Sequence, residues 1–299
     1  MKGTIIKALA GFYYVLAEDV VYECRARGIF RKDGITPLVG DNVDIHVEAD
    51  PFGQPSASSP EMGVGAVDKI LPRRNSFERP PVANVELMIL VAAVNKPAPS
   101  FLMLDRFALA AEQKDSELLI CVNKIDLAAD DELVRFEDHY KNAYPVIFIS
   151  AKDDKGTDAL KDAVKGKKTA LAGPSGVGKS TITNLLLGGS VSATGEISKK
   201  LRRGRNTTRH TELFRGDGFY LFDTPGFTSF ENFGVDAAEV SKMFPDIEKH
   251  LGHCRFDNCR HLSEPDCAVR AAVASGEISK GRYESYKEIV KAADAASKY

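Results

Sequence analysis

The chain has 299 residues, 43% of them apolar and 27% charged, and a formal net charge of −2. That length supports two or three separate cores, and a charge so near zero leaves any nucleic-acid contact to local patches. No apolar run approaches the length of a membrane span, and Met1-Lys2-Gly3-Thr4 has no signal-peptide hydrophobic region, so the expected location is the cytoplasm.

The opening reads as short strands at 4–8, 12–16, 20–24, 42–48 and 65–71, rich in β-branched and aromatic residues and separated by turn-prone ones. Strands this short in so small a module predict a barrel of the OB type over residues 1–71. Arg25, Arg27, Arg31 and Lys32 cluster around Phe30. An RNA-facing edge with an aromatic platform and a solvated hairpin both fit that stretch. Pro72 to Pro81 reads as a rigid, basic linker.

After the linker the pattern changes. Apolar strands at 85–94, 118–122 and 146–149 alternate with helical segments at 102–113, 132–142 and 157–164. That alternation predicts a parallel sheet with helices on both faces. The strand ends carry chemistry. Asn123-Lys124-Ile125-Asp126 follows a buried strand directly. The Asp126 carboxylate suits guanine N1–H and its exocyclic amine together, a donor pair that adenine lacks. Asn123 suits the base edge and a tie to a phosphate loop, and the Lys124 stem suits the ring face. Ser150-Ala151-Lys152 follows the next strand, placing the Ala151 N–H toward guanine O6.

The apolar run 169–172 leads into Gly173-Pro174-Ser175-Gly176-Val177-Gly178-Lys179-Ser180, followed by Thr181 and a helix-compatible run to Leu187. Glycines let successive backbone N–H groups curl around phosphate oxygens, and the helix N-terminus adds partial positive charge. Lys179 would reach the terminal phosphates and the Ser180 hydroxyl would ligate Mg²⁺. The stretch 195–209 is basic and polar, ending in Thr207-Thr208-Arg209-His210. Thr208 is the expected switch threonine and Mg²⁺ ligand; for the basic run, a solvated loop and an RNA-contacting switch both fit. A strand at 218–222 ends in Asp223-Thr224-Pro225-Gly226, with Asp223 expected on the Mg²⁺ hydration shell and the Gly226 N–H on the γ-phosphate. In Ras-like enzymes a Gln follows that glycine; here it is Phe227, so intrinsic turnover should be slow.

N-K-x-D and S-A-K therefore precede the phosphate loop, the reverse of the ordinary GTPase order. All these strand-end loops still meet on one sheet edge, so the domain, expected over 72–230, is circularly permuted. Residues 231–299 end the chain with Cys254-x₄-Cys259-x-His261-x₅-Cys267, followed by helical segments at 268–274 and 277–296. Three thiolates and an imidazole at that spacing suit tetrahedral Zn²⁺ with no open position for catalysis. The metal would staple a segment with little core of its own. Cys24 and Cys121 read as small core residues. Flanking Arg255, Arg260 and Arg270 could contact phosphate or be plain surface arginines, and the stretch 282–291 fits an ordinary amphipathic helix more often than one lying on RNA.

Together these motifs resemble the RsgA family of circularly permuted bacterial GTPases, over essentially the whole chain. The resemblance implies GTP hydrolysis to GDP stimulated by the small ribosomal subunit, late maturation of that particle, rRNA contacts from the barrel and zinc modules, and a cytoplasmic monomer. Asn206 departs from the family pattern, which places His before the paired threonines. Two other classes use the same features: a GTP-gated RNA clamp with negligible hydrolysis, and a small-molecule kinase. Lys179 and Ser180 argue against the first, and Asp126 against the second.

Overall fold

The structure, a computed structural model, describes residues 1–32, 34–47, 63–188, 211–223 and 235–296. The chain folds as two compact units. The first comprises Met1–Leu87, Val164–Ala170 and Thr183–Phe227; the second comprises Met88–Ala163, Leu171–Ile182 and Thr228–Tyr299.

In the first unit, β1 (Lys2–Leu9), β2 (Phe12–Ala17), β3 (Val20–Ala26), β4 (Asn42–Val47) and β5 (Gly63–Ile70) close a five-stranded barrel. β1, β2 and β3 form an antiparallel meander; β3 pairs parallel with β5, and β4 pairs antiparallel with both β5 and β1. Alternation puts Ile5, Val15, Cys24, Val43, Ile45 and Val67 inside, each at most 3% exposed. Phe30 lies in a short helix, Gly28–Lys32, and is buried. It is core, so of the two readings of that stretch the aromatic platform does not hold at Phe30. Among the described barrel residues, Phe12 carries a cation: its cross-strand partner Arg25 stands 4.9 Å from its centroid.

The segment expected as a rigid, basic linker is folded into this unit. Arg73 makes a two-pronged pair with buried Asp41 at 2.7 Å on each oxygen. Asn75 donates to the Val85 carbonyl at 2.8 Å and accepts from its N–H at 2.9 Å. Within the segment β6 (Ser76–Glu78) turns back on β7 (Pro81–Ala83). Prolines read as a spacer here, but the intervening polar side chains have long-range partners that fix it.

β11 (Lys168–Ala172) pairs parallel with β13 (Tyr220–Asp223), and β13 pairs antiparallel with β12 (Glu212–Arg215). β12 then pairs antiparallel with β1, beside a Lys7–Glu212 ion pair at 3.6 Å. The sequence reading missed β12, because four residues after a long polar stretch carry little periodic signal.

In the second unit β8 (Leu87–Ala93), β9 (Glu117–Asn123) and β10 (Val146–Ile149) lie side by side, β9 and β10 parallel. Every residue of β8 is buried, as a strand covered on both faces requires. Helix Phe101–Glu112 starts at Ser100, whose Oγ accepts from the Met103 N–H at 3.4 Å. Helix Asp130–Tyr140 follows Ala129, whose N–H is taken by the Glu132 carboxylate at 2.9 Å. Helices Thr157–Val164 and Lys179–Leu187 complete the nucleotide-binding part. The C-terminal part adds helices Pro245–Glu248, Ala268–Ser275 and Lys280–Ala296. It has a core after all: Phe244, Ile247, Val269, Ile278, Tyr286 and Val290 cluster with Leu109 of helix Phe101–Glu112. Among the described residues no helix is long and apolar enough to cross a membrane.

Candidate functional site

The phosphate loop connects the end of β11 to helix Lys179–Leu187. Two of its glycines are obligatory. Gly173 sits at φ +132, where a Cβ would lie 2.2 Å from the Val91 carbonyl oxygen; Gly178 sits at φ +103, where a Cβ would lie 2.3 Å from Asn123 Nδ2. A cradle that any side chain would fill is what close approach of phosphate to backbone demands. Val177 is buried and anchors the loop, while Ser175, Gly176, Ser180 and Thr181 are exposed and Pro174 is half-buried. Lys179 Nζ donates to the carbonyls of Gly173 at 2.6 Å and Pro174 at 2.8 Å. Burial lowers its pKa from the usual lysine value.

Asn123 joins the base-reading motif to this loop. Its Nδ2 donates to the Val177 carbonyl at 2.9 Å, and its Oδ1 accepts from the Ala151 N–H at 3.0 Å. One buried side chain thus links all three motifs. Lys124 adopts a left-handed backbone (φ +67) and donates to the carbonyls of Lys96 at 2.5 Å and Gly176 at 2.7 Å. Asp126 is exposed, with one carboxylate oxygen accepting from Ser150 Oγ at 2.9 Å and the rest open to a ligand. Lys152 is exposed. Asp223 ends β13 in the first unit. Thr208, Gly226, Phe227 and the basic run lie outside the described residues.

The second constellation is compact. The ligand atoms of Cys254, Cys259, His261 and Cys267 all lie within 4.8 Å of one another. Cys254 Sγ to Cys267 Sγ is 3.9 Å, and His261 Nδ1 is 3.4 Å from each of those two sulfurs. Zinc bonds of about 2.3 Å to sulfur and about 2.0 Å to nitrogen give tetrahedral edges of about 3.8 and 3.5 Å, so the donor set fits that ion. Burial lowers the His261 pKa, favouring the neutral imidazole that a metal needs.

Glu264 shapes the loop by accepting from the N–H groups of Arg260, Leu262 and Ser263 at 2.8, 2.8 and 2.9 Å. Burial would raise its carboxyl, but these donors outweigh that and hold it at about 2. The flanking arginines are engaged within the chain: Arg255 with Asp266, Arg260 with Asp294, and Arg270 with the Glu264 carbonyl.

Sequence reading missed a buried ionic cluster. Arg282 is 0% exposed and donates to Asp105 at 2.5 Å and Asp246 at 3.3 Å, while His139 Nε2 lies 2.8 Å from Asp105. Arg282 therefore does not face RNA. The signal was present in the spacing: Arg282, Ser285, Tyr286 and Ile289 share the buried stripe of one helix.

With this geometry in view, comparison with known proteins is specific. The family described as RsgA GTPase matches residues 70–233, and the RsgA N-terminal domain matches residues 2–53. A protein of Agathobacter rectalis named small ribosomal subunit biogenesis GTPase RsgA is 40% identical over 100% of both chains. One of Clostridium acetobutylicum with the same name is 41% identical over 96% of this chain and 95% of its own. The crystal structure titled YloQ, a circularly permuted GTPase, superposes with TM-score 0.80 at 37% identity, covering 99% of this chain and 95% of that one. YjeQ from Thermotoga maritima superposes with TM-score 0.80 at 31% identity, covering 98% of each chain.

Proposed function

The chain belongs to the RsgA GTPase family, and from that premise we propose that it hydrolyses GTP on the small ribosomal subunit, during late maturation of that particle. The observation that carries the reading is the Asn123 bridge, which joins the guanine-reading loop to the phosphate loop across a permuted chain order.

The roles follow from the donor and acceptor sets. The open Asp126 carboxylate accepts from guanine N1–H and its amine, with Ser150 holding it in place. The Lys124 stem covers the ring, and the Ala151 N–H and Lys152 border the base. Residues Gly173 to Thr181 wrap the phosphates with backbone N–H groups, and Lys179 turns from the Gly173 and Pro174 carbonyls to the β- and γ-oxygens. Ser180 and Thr208 would hold Mg²⁺, with Asp223 toward its hydration shell; once bound, the ion would supply charge neutralisation at those oxygens. Gly226 reports the γ-phosphate. Phe227 has no hydrogen-bonding group for water, so the ribosome or the reorganised switches complete the site.

Cys254, Cys259, His261 and Cys267 hold a structural zinc, leaving no position for a reacting water. Functionally the chain divides into a barrel at 1–71, a GTPase at 72–230 and a zinc module at 231–299. The barrel meets rRNA through Arg25 on Phe12. The protein acts as a cytoplasmic monomer.

The test is GTP turnover with and without small subunits, with large subunits and Lys179→Ala as controls. Strong stimulation by small subunits alone, lost in Lys179→Ala, is expected. Slow turnover indifferent to ribosomes would favour the RNA-clamp reading, for which Phe227 supplies the reason.

A further inference from the structure

The loop that gathers the four metal ligands is tied to the C-terminal helix by the Arg260–Asp294 pair and by two tyrosines. Tyr283 Oη donates to the His261 carbonyl at 2.6 Å, and Tyr286 Oη donates to the Arg260 carbonyl at 2.9 Å. His261 needs such a hold. It is a ligand whose backbone sits at φ +58, a region that residues with a Cβ seldom occupy. Tyr283 and Tyr286 lie one residue and one turn beyond Arg282 on helix Lys280–Ala296, so the seat of Arg282 sets where both hydroxyls stand.

That seat is tightly specified. The guanidinium is wholly buried between Asp105 and Asp246, and stands 4.4 Å from the Phe244 ring centroid and 5.0 Å from that of Tyr144. The preceding residue, Gly281, passes so close to His139 that a Cβ there would lie 2.9 Å from its Nδ1. His139 cannot retreat cheaply, because its other nitrogen bonds Asp105. Asp105 and His139 belong to helices Phe101–Glu112 and Asp130–Tyr140, which are part of the nucleotide-binding fold.

We propose that Arg282 is a positioning residue for the metal loop: locked against Asp105, it holds Tyr283 and Tyr286 so that the His261 carbonyl, and with it the zinc-binding imidazole, stays in place. The metal module is then not autonomous. Its grip on zinc is set by an ion pair from its own helix to Asp105 on a helix of the GTPase fold. This rests on the zinc reading above.

The experiment uses the full chain. Zinc content of the wild-type protein is measured first, then its release to a chromogenic chelator from wild type, Arg282→Met and Tyr283→Phe. Absence of zinc in the wild type would overturn the metal reading itself. With zinc present, Arg282→Met should release it about tenfold faster or more, the usual effect of losing an outer-shell support. Tyr283→Phe, which deletes one hydroxyl, should release it about fivefold faster. GDP affinity and helix content of Tyr283→Phe should stay at wild-type values, and its cobalt(II)-loaded form should show shifted ligand-field bands. A merely structural role would not move that spectrum. If Arg282→Met does not fold, Tyr283→Phe decides. Wild-type release rates and an unshifted cobalt spectrum in Tyr283→Phe would overturn the proposal, as would a wild-type rate in folded Arg282→Met.

Discussion

Replacing Arg282 with Met isolates the cost of the buried ion cluster. Methionine is unbranched and polarizable, and suits a cage whose Phe244, Tyr144 and Tyr140 centroids stand 4.4, 5.0 and 5.6 Å from the guanidinium carbon. Lost packing is therefore small. What remains is electrostatic: Asp105, 0% exposed, and Asp246, 4% exposed, lose their shared cation. Removing one partner of a buried pair costs about 3–5 kcal/mol. For folding units of this size that is a fall in Tm of about 6–20 °C.

The pH dependence carries a sign. In the wild type, burial would raise the Asp105 carboxyl, but Arg282 and His139 outweigh it and hold it below the usual carboxylate range. Stability from Asp105 is thus fully present above the ordinary value near about 4 and is lost as pH falls through the lower folded one. In the variant the burial effect is left unopposed by Arg282, so the folded carboxyl rises. Stability is then present below the ordinary value and lost as pH climbs through the raised one. The gap between the two proteins should be widest near neutrality and narrow toward pH about 5. Thermal unfolding followed by circular dichroism at both pH values measures it. A variant within about 1 kcal/mol of wild type at neutral pH, or a gap that widens on acidification, would refute the reasoning.

Lys168 makes a second pH prediction. Burial lowers its ammonium to about 8, against the opposing pull of Glu86 and Asp41, while its Nζ donates to the Gly40 carbonyl and to Asn42 Oδ1. The stability from that lowered value is present above the unfolded lysine value and lost as pH falls through about 8. Wild-type stability relative to Lys168→Met should therefore rise by up to about 3 kcal/mol between roughly pH 8 and pH 10.5; parallel urea midpoints would contradict this. Gly178→Ala forces a Cβ to 2.3 Å from Asn123 Nδ2 at φ +103. Backbone strain and the lost Asn123 bond together cost about 2–4 kcal/mol, so GDP affinity should fall at least about 30-fold; a fluorescent-GDP titration within about threefold of wild type counts against it. Asp126→Asn swaps a carboxylate for an amide that complements the C2 carbonyl of xanthine. GDP affinity should drop about tenfold or more while xanthosine diphosphate becomes the better ligand, and an unchanged preference would remove Asp126 from base reading.

The motifs legible in sequence share one property: their chemistry is local. Gly173 and Gly178 take left-handed backbone within a pattern written in eight consecutive residues, although the atoms that crowd them, from Val91 and Asn123, arrive only on folding. Cys254 to Cys267 likewise form a donor set within one loop. The barrel strands were readable from alternation, and the permuted order from the succession of motifs alone. Phe30 read as exposed because charged neighbours surround it in sequence, yet the short helix Gly28–Lys32 turns it into the core. The prolines of 72–81 suggested a spacer, but Asp41, 32 residues from Arg73, fixes the segment.

The sequence by itself therefore determined the fold class and the family, and it located the guanine and phosphate motifs and the four side chains that could hold a metal. Only the tertiary structure decided that β12 extends the barrel sheet through β1, that Asn123 bridges loops 54 and 28 residues away, and that Arg282 is sealed in the interior. The reason is desolvation. Whether an arginine stays in water or becomes a buried anchor depends on which carboxylates meet it, and for Arg282 one of these, Asp105, lies 177 residues away.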